Sequence, residues 1–295
     1  MSPDDDNLDP YAILEALGIT DVTRASRAHG GTDTAIWRVQ RADGAYALRV
    51  FHEGEERDRE REQTVMRAAR AAGLAVPEVH AAGCWRGRPA LLLTWLPGRP
   101  IADELKRRPW RAWRIGAAFG RAQADMHALT APSPLSDHPD AWIDWLGPDH
   151  PKLAERLRQG SHRGAALLHL DYHPYNVLTD GERVTGMLDW RNAMAGEPRA
   201  DAARTSAILR IDYSGRPSMV ERALRWLFER GWRAGYEERA GPLGDMSLYY
   251  AWAGAVMQRD LASKRATADL ARIQRWTARQ WTRANRTRKA RRHAT

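Results

Sequence analysis

The sequence has 295 residues, of which 43% are hydrophobic and 28% charged, a balance typical of a globular protein. No apolar stretch approaches the roughly 18 residues of a membrane span, and the acidic start MSPDDDN lacks the apolar run of a signal peptide. The only cysteine, Cys84, excludes an internal disulfide and is typical of a reducing compartment. We therefore expect a cytoplasmic protein without a membrane partner.

The net charge of +9 is concentrated at the C-terminus. Residues 264–295 contain eleven Lys or Arg and one acid, whereas residues 1–263 carry a net charge of −1. Such a segment can attract RNA or another polyanion, or it can be a solvated helix face, and the second interpretation is favoured. We therefore treat nucleic acid as a secondary partner, available only through this basic segment.

The N-terminal part of the chain predicts a small sheet with a helix. Residues 10–17 predict a short helix, and the alternating segments 35–40 and 45–51 predict a hairpin around Asp43-Gly44. The loop before this hairpin contains Gly31 and Thr32, residue types that can lie over phosphates with their backbone N–H groups but that also form plain turns.

The next segments predict a helix over residues 58–72, ended by Gly73, and two strands over residues 76–83 and 89–95. A further amphipathic helix begins near Trp110, and residues 131–160 predict an irregular region. The side chains expected on the buried face of that helix are Trp113, Ala117, Phe119, Ala122, Met126 and Leu129.

The end of the chain is predominantly helical. Residues 218–240 and 246–263 predict two long helices. An apolar stripe at spacings of three and four then predicts that residues 264 to about 284 fold onto the preceding helices, with the final residues disordered. The side chains of the stripe are Leu270, Ile273, Thr277, Trp281 and Ala284.

The most informative stretch is residues 167–189. After a short apolar run it places His169, Asp171 and Asn176 in the order H-x-D-x-x-x-x-N, and a strand, an Asp-Gly turn and a return strand then lead to Asp189. One hairpin would bring Asp171, Asn176 and Asp189 to the same end. Two carboxylates and an amide oxygen are hard ligands that suit Mg²⁺ and, through it, a triphosphate.

This order resembles that of the protein-kinase-like phosphotransferases. The segments HLDYHPYNVL and GMLDW are similar to those of the aminoglycoside phosphotransferase and choline kinase family, and the resemblance extends over residues 26–208. It implies an α+β, two-lobed protein-kinase-like fold with a small antiparallel β-sheet lobe with one helix and a larger, mainly α-helical lobe. The expected boundaries are 1–94 for the nucleotide-binding lobe, 95–263 for the catalytic and acceptor-binding lobe and 264–295 for the basic tail.

The resemblance also implies an Mg²⁺-dependent transfer of phosphate from ATP or GTP to a small-molecule hydroxyl. Asp171 would be the catalytic base, and Asn176 and Asp189 would hold Mg²⁺. His169 and Asp201 would support the loop that carries the base; Asp201 follows in a segment that resembles the G-x-x-x-x-D-L-A signature, with Ala202 in place of Leu.

On the nucleotide side, the resemblance places Arg49 where the phosphate-gripping cation is expected and Glu62 where its acidic partner is expected. The backbone of Thr94, Trp95 and Leu96 would bind the adenine edge. Gly31 and Thr32 would lie over the phosphates.

Three questions stay open at this point. His169, Asp171 and His173 could instead form a transition-metal site, and the domain could bind nucleotide without turnover. The acceptor is also open: an aminoglycoside or another antibiotic is favoured, with choline, homoserine or a sugar as alternatives. A cationic acceptor requires clustered acids, and the candidate acids are Asp144, Glu197, Asp212, Glu237, Glu238 and Asp245.

Overall fold

The computed structural model of the chain describes residues 8–28, 34–160, 164–211 and 217–292, with side chains up to residue 287. The chain divides into two compact units. The first unit contains Met1–Gly98 and the short return segment Thr185–Arg191, and the second contains Arg99–Val184 and Asn192–Thr295. Asp189 therefore belongs to the first unit and Asp171 to the second.

The first unit is built on a five-stranded antiparallel sheet with the strand order β1-β2-β3-β5-β4. Two helices accompany the sheet, α1 (Pro10–Ala16) and α2 (Glu56–Ala71). The strands are β1 (Val22–Arg27), β2 (Ala35–Arg41), β3 (Gly44–Val50), β4 (Val79–Trp85) and β5 (Arg88–Thr94). A last strand, β9 (Val184–Met187), leads into the return segment.

Alternation along β3 separates the core of the first unit from its polar side chains. Leu48 and Val50 are fully buried and pack in one apolar cluster with Ile13 and Leu14 of α1. Arg49 lies between them in sequence, so its side chain points to the opposite face of the sheet. The alternation along β3 thus places the guanidinium of Arg49 on the face of the sheet opposite the apolar cluster.

The second unit is mainly helical. Its helices are α3 (Ile101–Arg107), α4 (Ala112–His127), α5 (Ala141–Asp144), α6 (Pro151–Gly160), α7 (Pro198–Ile211), α8 (Met219–Ala240), α9 (Ser247–Leu261) and α10 (Thr267–Arg292). Its short strands are β6 (Arg99–Pro100), which pairs with β8 (Val177–Thr179), and β7 (Ala166–Leu168), which pairs with β10 (Met194–Gly196). The prediction of an irregular region over residues 131–160 is wrong, because α5 and α6 lie there.

Helices α4 and α8 pack with their backbones in direct contact. A Cβ atom added at Gly116 or Gly120 of α4 would overlap backbone atoms of α8, and one added at Gly231 or Gly235 of α8 would overlap backbone atoms of α4. Small residues line this contact. The prediction that Trp113 lies on the buried face of this helix is wrong, since its side chain is 43% exposed. Within the described residues, no helix is both long and apolar enough to span a membrane.

Helix α10 packs on α9. Ile273, Thr277 and Ala284 are buried, and the rings of Trp276 and Tyr250 lie 5.7 Å apart. The predicted stripe is thus largely correct. The predicted disorder after residue 284 is wrong as far as residue 292, because the helix continues to Arg292.

The observed architecture confirms the predicted α+β class, an antiparallel sheet followed by a helical region. Strand β1 is absent from the prediction. Its sequence, VTRASR, has no fully buried side chain, and β1 is an edge strand whose one neighbour in the described sheet is β2. An edge strand without a buried face lacks the apolar alternation by which a strand is recognised.

Candidate active site

Arg49 is the centre of a buried ionic group in the first unit, which we call the Arg49 cluster (Arg49, Glu62 and Asp189). The guanidinium, 7% exposed, donates from Nη1 to Glu62 Oε1 at 2.5 Å and from Nη2 to Asp189 Oδ1 at 2.9 Å. Its Nε donates to Thr34 Oγ1 at 3.2 Å. One cation from β3 is therefore held between an acid of α2 and an acid of the return segment.

The charges of the Arg49 cluster shift the pKa values of Arg49 and Glu62. Burial alone would lower the pKa of Arg49, but its attraction to Glu62 and Asp189 outweighs burial and raises the pKa. Burial raises the pKa of Glu62, and repulsion by Asp189 adds to this shift while Arg49 opposes it. Oε2 of Glu62 is buried without a hydrogen-bond partner among the described residues. The single cation thus serves two acids.

Asp189 is presented by a strained turn. Its φ of 63° lies in the left-handed region, which a residue other than glycine adopts at a cost. The next residue, Trp190, donates its backbone N–H to Glu62 Oε1 at 3.2 Å, and Arg191 binds Glu55 at 2.5 Å. These contacts fix the turn to α2, and the Asp189 side chain remains 41% exposed. The carboxylate is fixed by one oxygen and still reaches the surface of its unit.

The residues predicted to bind the nucleotide base lie at the end of β5. The backbone N–H of Thr94 donates to Glu78 and that of Trp95 donates to Ala45, both at carbonyl oxygens of the sheet. These two N–H groups are therefore already bonded within the first unit, and the predicted role of Thr94, Trp95 and Leu96 stays a prediction. Gly31 and Thr32, predicted to lie over phosphates, are outside the described residues.

In the second unit, residues 169–176 between β7 and β8 form a turn that we call the Asp171 loop. The side-chain nitrogen of Asn176 donates to the Asp171 carbonyl at 3.1 Å and to Asp171 Oδ2 at 3.0 Å. His173 Nε2 lies 3.5 Å from the same carboxylate oxygen. Asn176 thereby orients the Asp171 carboxylate, and its own amide oxygen is the atom left for a cation.

The surroundings of Asp171 favour its ionised form. Burial alone would raise its pKa, but the hydrogen bond with His173 and the charges of His173, His169 and Arg204 outweigh burial and lower the pKa to about 2. The carboxylate is consequently negative at every physiological pH. It is a strong hydrogen-bond acceptor and only a weak base.

The Asp171 loop is anchored by Asp201 of α7, which is fully buried. Its Oδ2 accepts the backbone N–H of His169 at 3.1 Å, and its Oδ1 accepts that of Leu170 at 2.8 Å. The same carboxylate accepts Nε2 of His127 at 2.9 Å and the amide of Gln123 at 3.3 Å. We call Asp201, His127 and Gln123 the Asp201 cluster. Burial alone would raise the pKa of Asp201, but His127 and these donors lower it.

The anchor holds strained backbone in place. Leu170, between His169 and Asp171, has a φ of 60° in the left-handed region, and its N–H is one of the two that bind Asp201. His127 is a packed core residue, as predicted, with Nδ1 2.8 Å from the hydroxyl of Tyr236. The Asp201 cluster therefore fixes the conformation of the residue directly before the candidate base.

The predicted Mg²⁺ ligands are distributed over both units, Asn176 in the second and Asp189 in the first, so their joint role stays a prediction. The alternative transition-metal site is not supported. His169 is fully buried and its Nδ1 accepts the N–H of Asp171 at 3.3 Å. Throughout the described ranges, no group of three or more His, Cys, Asp or Glu is placed to hold a metal ion.

Several residues that support the site could not be recognised from sequence. Gln123, His127 and Tyr236 contact Asp201 directly or through one another, across more than 70 positions in the chain. Arg204 contributes to the charge at Asp171. The one available signal was spacing: Arg204 follows Asp201 by three residues and thus lies one helical turn away.

The sequence matches the model of the phosphotransferase enzyme family (APH) over residues 24–241, well over half of the chain. No curated protein sequence matches it significantly.

Solved structures of kinases share the fold. One is a thermostable mutant of the aminoglycoside phosphotransferase APH(4)-Ia in a ternary complex with ADP and hygromycin B, with a TM-score of 0.66, 15% identity and coverage of 91% of this chain and 96% of that one. Others are a putative fructosamine-3-kinase from Haemophilus somnus (TM-score 0.55, 13% identity, 91% and 95% covered) and a Plasmodium vivax ethanolamine kinase (TM-score 0.56, 13% identity, 90% and 83% covered). The predicted kinase-like fold is thus confirmed.

Proposed function

Because the chain belongs to the phosphotransferase enzyme family, we propose that it transfers the γ-phosphoryl group of ATP or GTP to a hydroxyl group of a small molecule. In this reaction the acceptor oxygen forms a bond to phosphorus, and the bond from phosphorus to the bridging oxygen of the nucleotide breaks. The observation that carries the proposal is the Asp171 carboxylate, which Asn176 orients on a loop that Asp201 fixes.

Asp171 would accept a hydrogen bond from the hydroxyl of the acceptor. Because its pKa is about 2, it is a poor proton acceptor for a hydroxyl in the ground state. Its main contribution would be to orient the attacking oxygen, with the proton passing to it only as the bond to phosphorus forms. Positioning of this kind is the main component of catalysis in phosphoryl transfer.

The donor side fits a magnesium nucleotide. Asn176 and Asp189 would hold Mg²⁺: the amide oxygen of Asn176 and the 41% exposed carboxylate of Asp189 are hard oxygen donors of the kind that Mg²⁺ binds. When bound, the ion would neutralise charge on the β- and γ-phosphates. Arg49, always protonated and with its three nitrogens fixed by hydrogen bonds, would grip a phosphate oxygen.

The base and phosphate contacts complete the proposed donor site. Thr94, Trp95 and Leu96 would bind adenine or guanine through backbone groups, and Gly31 and Thr32 would cover the phosphates. A cytoplasmic location fits a reaction that consumes ATP or GTP.

An aminoglycoside is the acceptor that the sequence favours, and the related structure bound to hygromycin B supports it. The candidate acids in the described part of the chain, however, already have basic or structural partners. Asp144 binds Arg158 at 2.5 Å, Glu197 binds Arg199 at 2.9 Å, and Asp245 accepts the backbone N–H of Ser247 at the start of α9. Glu237 and Glu238 bind Arg233 and Arg121. A polycation would have to replace several of these partners.

The proposed function is tested by measuring ADP or GDP release from the full chain with Mg²⁺, nucleotide and a panel of hydroxyl acceptors: aminoglycosides, choline, homoserine and sugars. We expect nucleotide turnover that depends on both Mg²⁺ and one acceptor class. The control is Asp180→Asn, because Asp180 is a turn acid whose Oδ1 accepts two backbone N–H groups, a role that Asn also performs, and whose Oδ2 pairs only with the exposed Arg183 among the described residues. Nucleotide binding without turnover on any acceptor would instead identify a silent kinase-like protein.

A further inference from the structure

Helix α10 has a row of arginines on its solvent side. They recur at spacings of four, four and three residues, so they share one face of the helix. All of them are exposed. We call this row the Arg275 ridge, and its members are Arg275, Arg279, Arg283 and Arg286. Because a helix rises 1.5 Å per residue, the ridge is about 16 Å long and its cations follow one another about every 5 Å along the axis.

The other side of α10 is fixed to the second unit. Ile273, Thr277 and Ala284 are buried where α10 packs on α9. From α6, Arg156 donates to Asn285 Oδ1 at 2.5 Å and to the carbonyl of Ala284 at 3.2 Å. These contacts hold the helix in one orientation. The Arg275 ridge therefore faces away from α9, with its charges aligned and accessible.

The Arg275 ridge has no acidic side chain to neutralise it. None of its four guanidinium groups forms an ion pair with a described residue of the chain. The only acid of α10 is Asp269, which is 7% exposed and binds Arg272 at 2.8 Å. The sequence after Thr287 adds four more Lys or Arg up to Arg292 and no acid. The positive charge of this face is thus uncompensated within the described structure.

Helix stability does not explain the Arg275 ridge. On a solvated helix face, opposite charges three or four residues apart stabilise the helix, whereas like charges at these spacings destabilise it. The ridge has like charges at three successive spacings of this kind. The helix macrodipole favours cations only in the last turn, and the ridge ends six residues before Arg292. A bound polyanion would remove the repulsion within the ridge.

The side chains around the ridge favour nucleic acid over a lipid surface. Helices that bind membranes insert large apolar side chains, and the described part of α10 exposes none. Binding of single strands relies on exposed aromatic side chains that stack on bases, which the ridge also lacks. Guanidinium groups, however, bind phosphate oxygens well. A duplex carries one phosphate charge per about 1.7 Å of its axis, so a straight row of cations meets many phosphates.

We propose that the Arg275 ridge binds the phosphate backbone of double-stranded nucleic acid, without preference for base sequence. Contacts to phosphate fix the position of a protein on a duplex but do not read its sequence. The inference goes beyond the proposed phosphotransferase function and does not depend on it. Binding would hold the protein at a polyanionic surface through α10.

The experiment measures fluorescence anisotropy of labelled duplexes with the full chain over a range of NaCl concentrations. The probes are DNA duplexes of about 20 base pairs in two unrelated base sequences and one RNA duplex. We expect a Kd of about 10⁻⁵ M near physiological salt, equal for the two DNA sequences, and a linear rise of log Kd with log salt concentration. Single-stranded DNA and vesicles of equal parts phosphatidylglycerol and phosphatidylcholine serve as competing polyanions.

Variants then locate the binding surface. Replacing all four ridge arginines by Gln should weaken duplex binding at least about 10-fold and lower the slope against log salt by about 3 to 4, since each lost phosphate contact removes about 0.9. Replacing all four by Lys keeps the charge and should keep the slope. Tm should be unchanged in both variants. If the Gln variant is less stable, the single changes Arg275→Gln and Arg286→Gln should each lower the slope by about 1.

A matched control changes the net charge equally but at arginines that have acidic partners. It replaces four exposed or half-exposed arginines by Gln and should leave the slope within about 1 of wild type. These arginines and their acids are Arg70 with Glu78, Arg121 with Glu238, Arg183 with Asp180 and Arg239 with Asp125.

Four results would overturn the inference. The first is the absence of duplex binding by the full chain even at about 50 mM salt. The second is an unchanged affinity and slope in the ridge Gln variant. The third is an equal loss in the control variant, which would show that net charge alone attracts the duplex. The fourth is tighter binding of the vesicles or of single-stranded DNA than of the duplexes, which would identify a different partner.

Discussion

Glu62 in the first unit and Asp201 in the second are both buried carboxylates, 1% and 0% exposed, yet their pKa values shift in opposite directions. Burial raises the pKa of Glu62, and Arg49 does not reverse this shift. Arg49 is shared with Asp189, and one oxygen of Glu62 has no hydrogen-bond partner among the described residues. The pKa of Asp201 is lowered, because an imidazole, an amide and two backbone N–H groups bind it.

The opposite pKa shifts of Glu62 and Asp201 indicate two different structural roles. A carboxylate that accepts several hydrogen bonds fixes what donates them, and Asp201 fixes the strained backbone before Asp171. Glu62 shares the Arg49 cation with Asp189. It therefore holds the guanidinium in place without accepting hydrogen bonds from all of its N–H groups. We infer that Asp201 fixes the backbone of its own unit, whereas Glu62 holds the Arg49 cation of the first unit through a single oxygen.

The largest expected effect is on stability. Asp201→Asn replaces an acceptor of four hydrogen bonds by a side chain that cannot accept at both ends, and we expect it to lower the free energy of unfolding by about 3–5 kcal/mol. Glu62→Gln should lower it by about 1 kcal/mol or less, because the neutral amide removes a charge whose burial is unfavourable. Urea denaturation of both variants measures the difference. Equal losses would remove the distinction between the two acids.

The next effect is on nucleotide affinity and tests the proposed donor-side residues Asp189, Asn176, Arg49 and Glu62. Asp189→Ala should abolish measurable Mg-dependent nucleotide binding, and Asn176→Ala should weaken it, since each removes an oxygen ligand. Arg49→Ala should raise the nucleotide KM, and Arg49→Lys should recover part of the loss because the charge is kept. Glu62→Gln should change KM in the same direction but less. Calorimetry gives the affinities and steady-state kinetics the KM values.

If nucleotide affinity is unchanged in both Asp189→Ala and Asn176→Ala, these residues do not hold the metal. If KM does not respond to any change at Arg49 or Glu62, the Arg49 cluster is purely structural. Asp180→Asn is the control for both assays, because it changes an acid of the same stretch that only stabilises a turn.

The sequence predicts those parts of the site that depend on neighbours in the chain. The Asp-Gly turns and the alternation of β2 and β3 are local, so the two segments that carry Arg49 and Asp171 were recognised. The partners of Asp201 are not local, because His127 and Gln123 precede it by more than 70 residues and their contact depends on helix packing. Sequence periodicity indicates that a helix exists but not which helix it faces.

The packing of α4 and α8 shows the same limit. Periodicity places the large Trp113 inside, whereas the contact is made by Gly116 and Gly120, which let the backbones meet. An apolar periodicity predicts that large hydrophobic side chains are buried. A close contact between two helix backbones requires glycine instead, and the periodicity does not indicate this.

A smaller effect is expected on the pH dependence of stability and of kcat/KM, in which Asp171 and Glu62 should differ. The pKa of Asp171 falls from its usual 3.8 to about 2, so its contribution to stability is complete above pH 3.8 and is lost as pH falls towards 2. Asp171 therefore stays ionised, and its titration should not reduce kcat/KM between pH 8 and about 4.5. The contribution of Glu62 to stability has the opposite pH dependence. Because its pKa is raised in the folded protein, its ionisation opposes folding, and this contribution is lost as pH rises. A pH–rate profile checks this: an acidic limb near pH 6 that disappears in Asp171→Asn would contradict it.

The smallest effect is expected at the end of α10. Truncation after Thr287 keeps the buried α10 residues Ile273, Thr277 and Ala284 and should change Tm and kcat very little. Truncation after Ser263 should destabilise the protein, because it exposes the surface that Ile273, Thr277 and Ala284 cover. Differential scanning calorimetry compares the two. If both truncated proteins are equally stable, α10 does not belong to the folded unit, and salt-dependent RNA binding by the full chain alone would then show that the basic segment has a nucleic-acid role.

The central claim, that Asp171 directs an acceptor hydroxyl onto the γ-phosphate, is tested most directly by ³¹P NMR. Full-length protein is mixed with Mg·ATP and the acceptor identified by the turnover screen, and the phosphomonoester and ADP signals are followed with time. We predict that both signals grow in equal amounts, and that Asp171→Asn binds Mg·ATP normally but forms product at least about 10²-fold more slowly. Product formation by Asp171→Asn at the wild-type rate, or ADP accompanied only by inorganic phosphate, would contradict the claim.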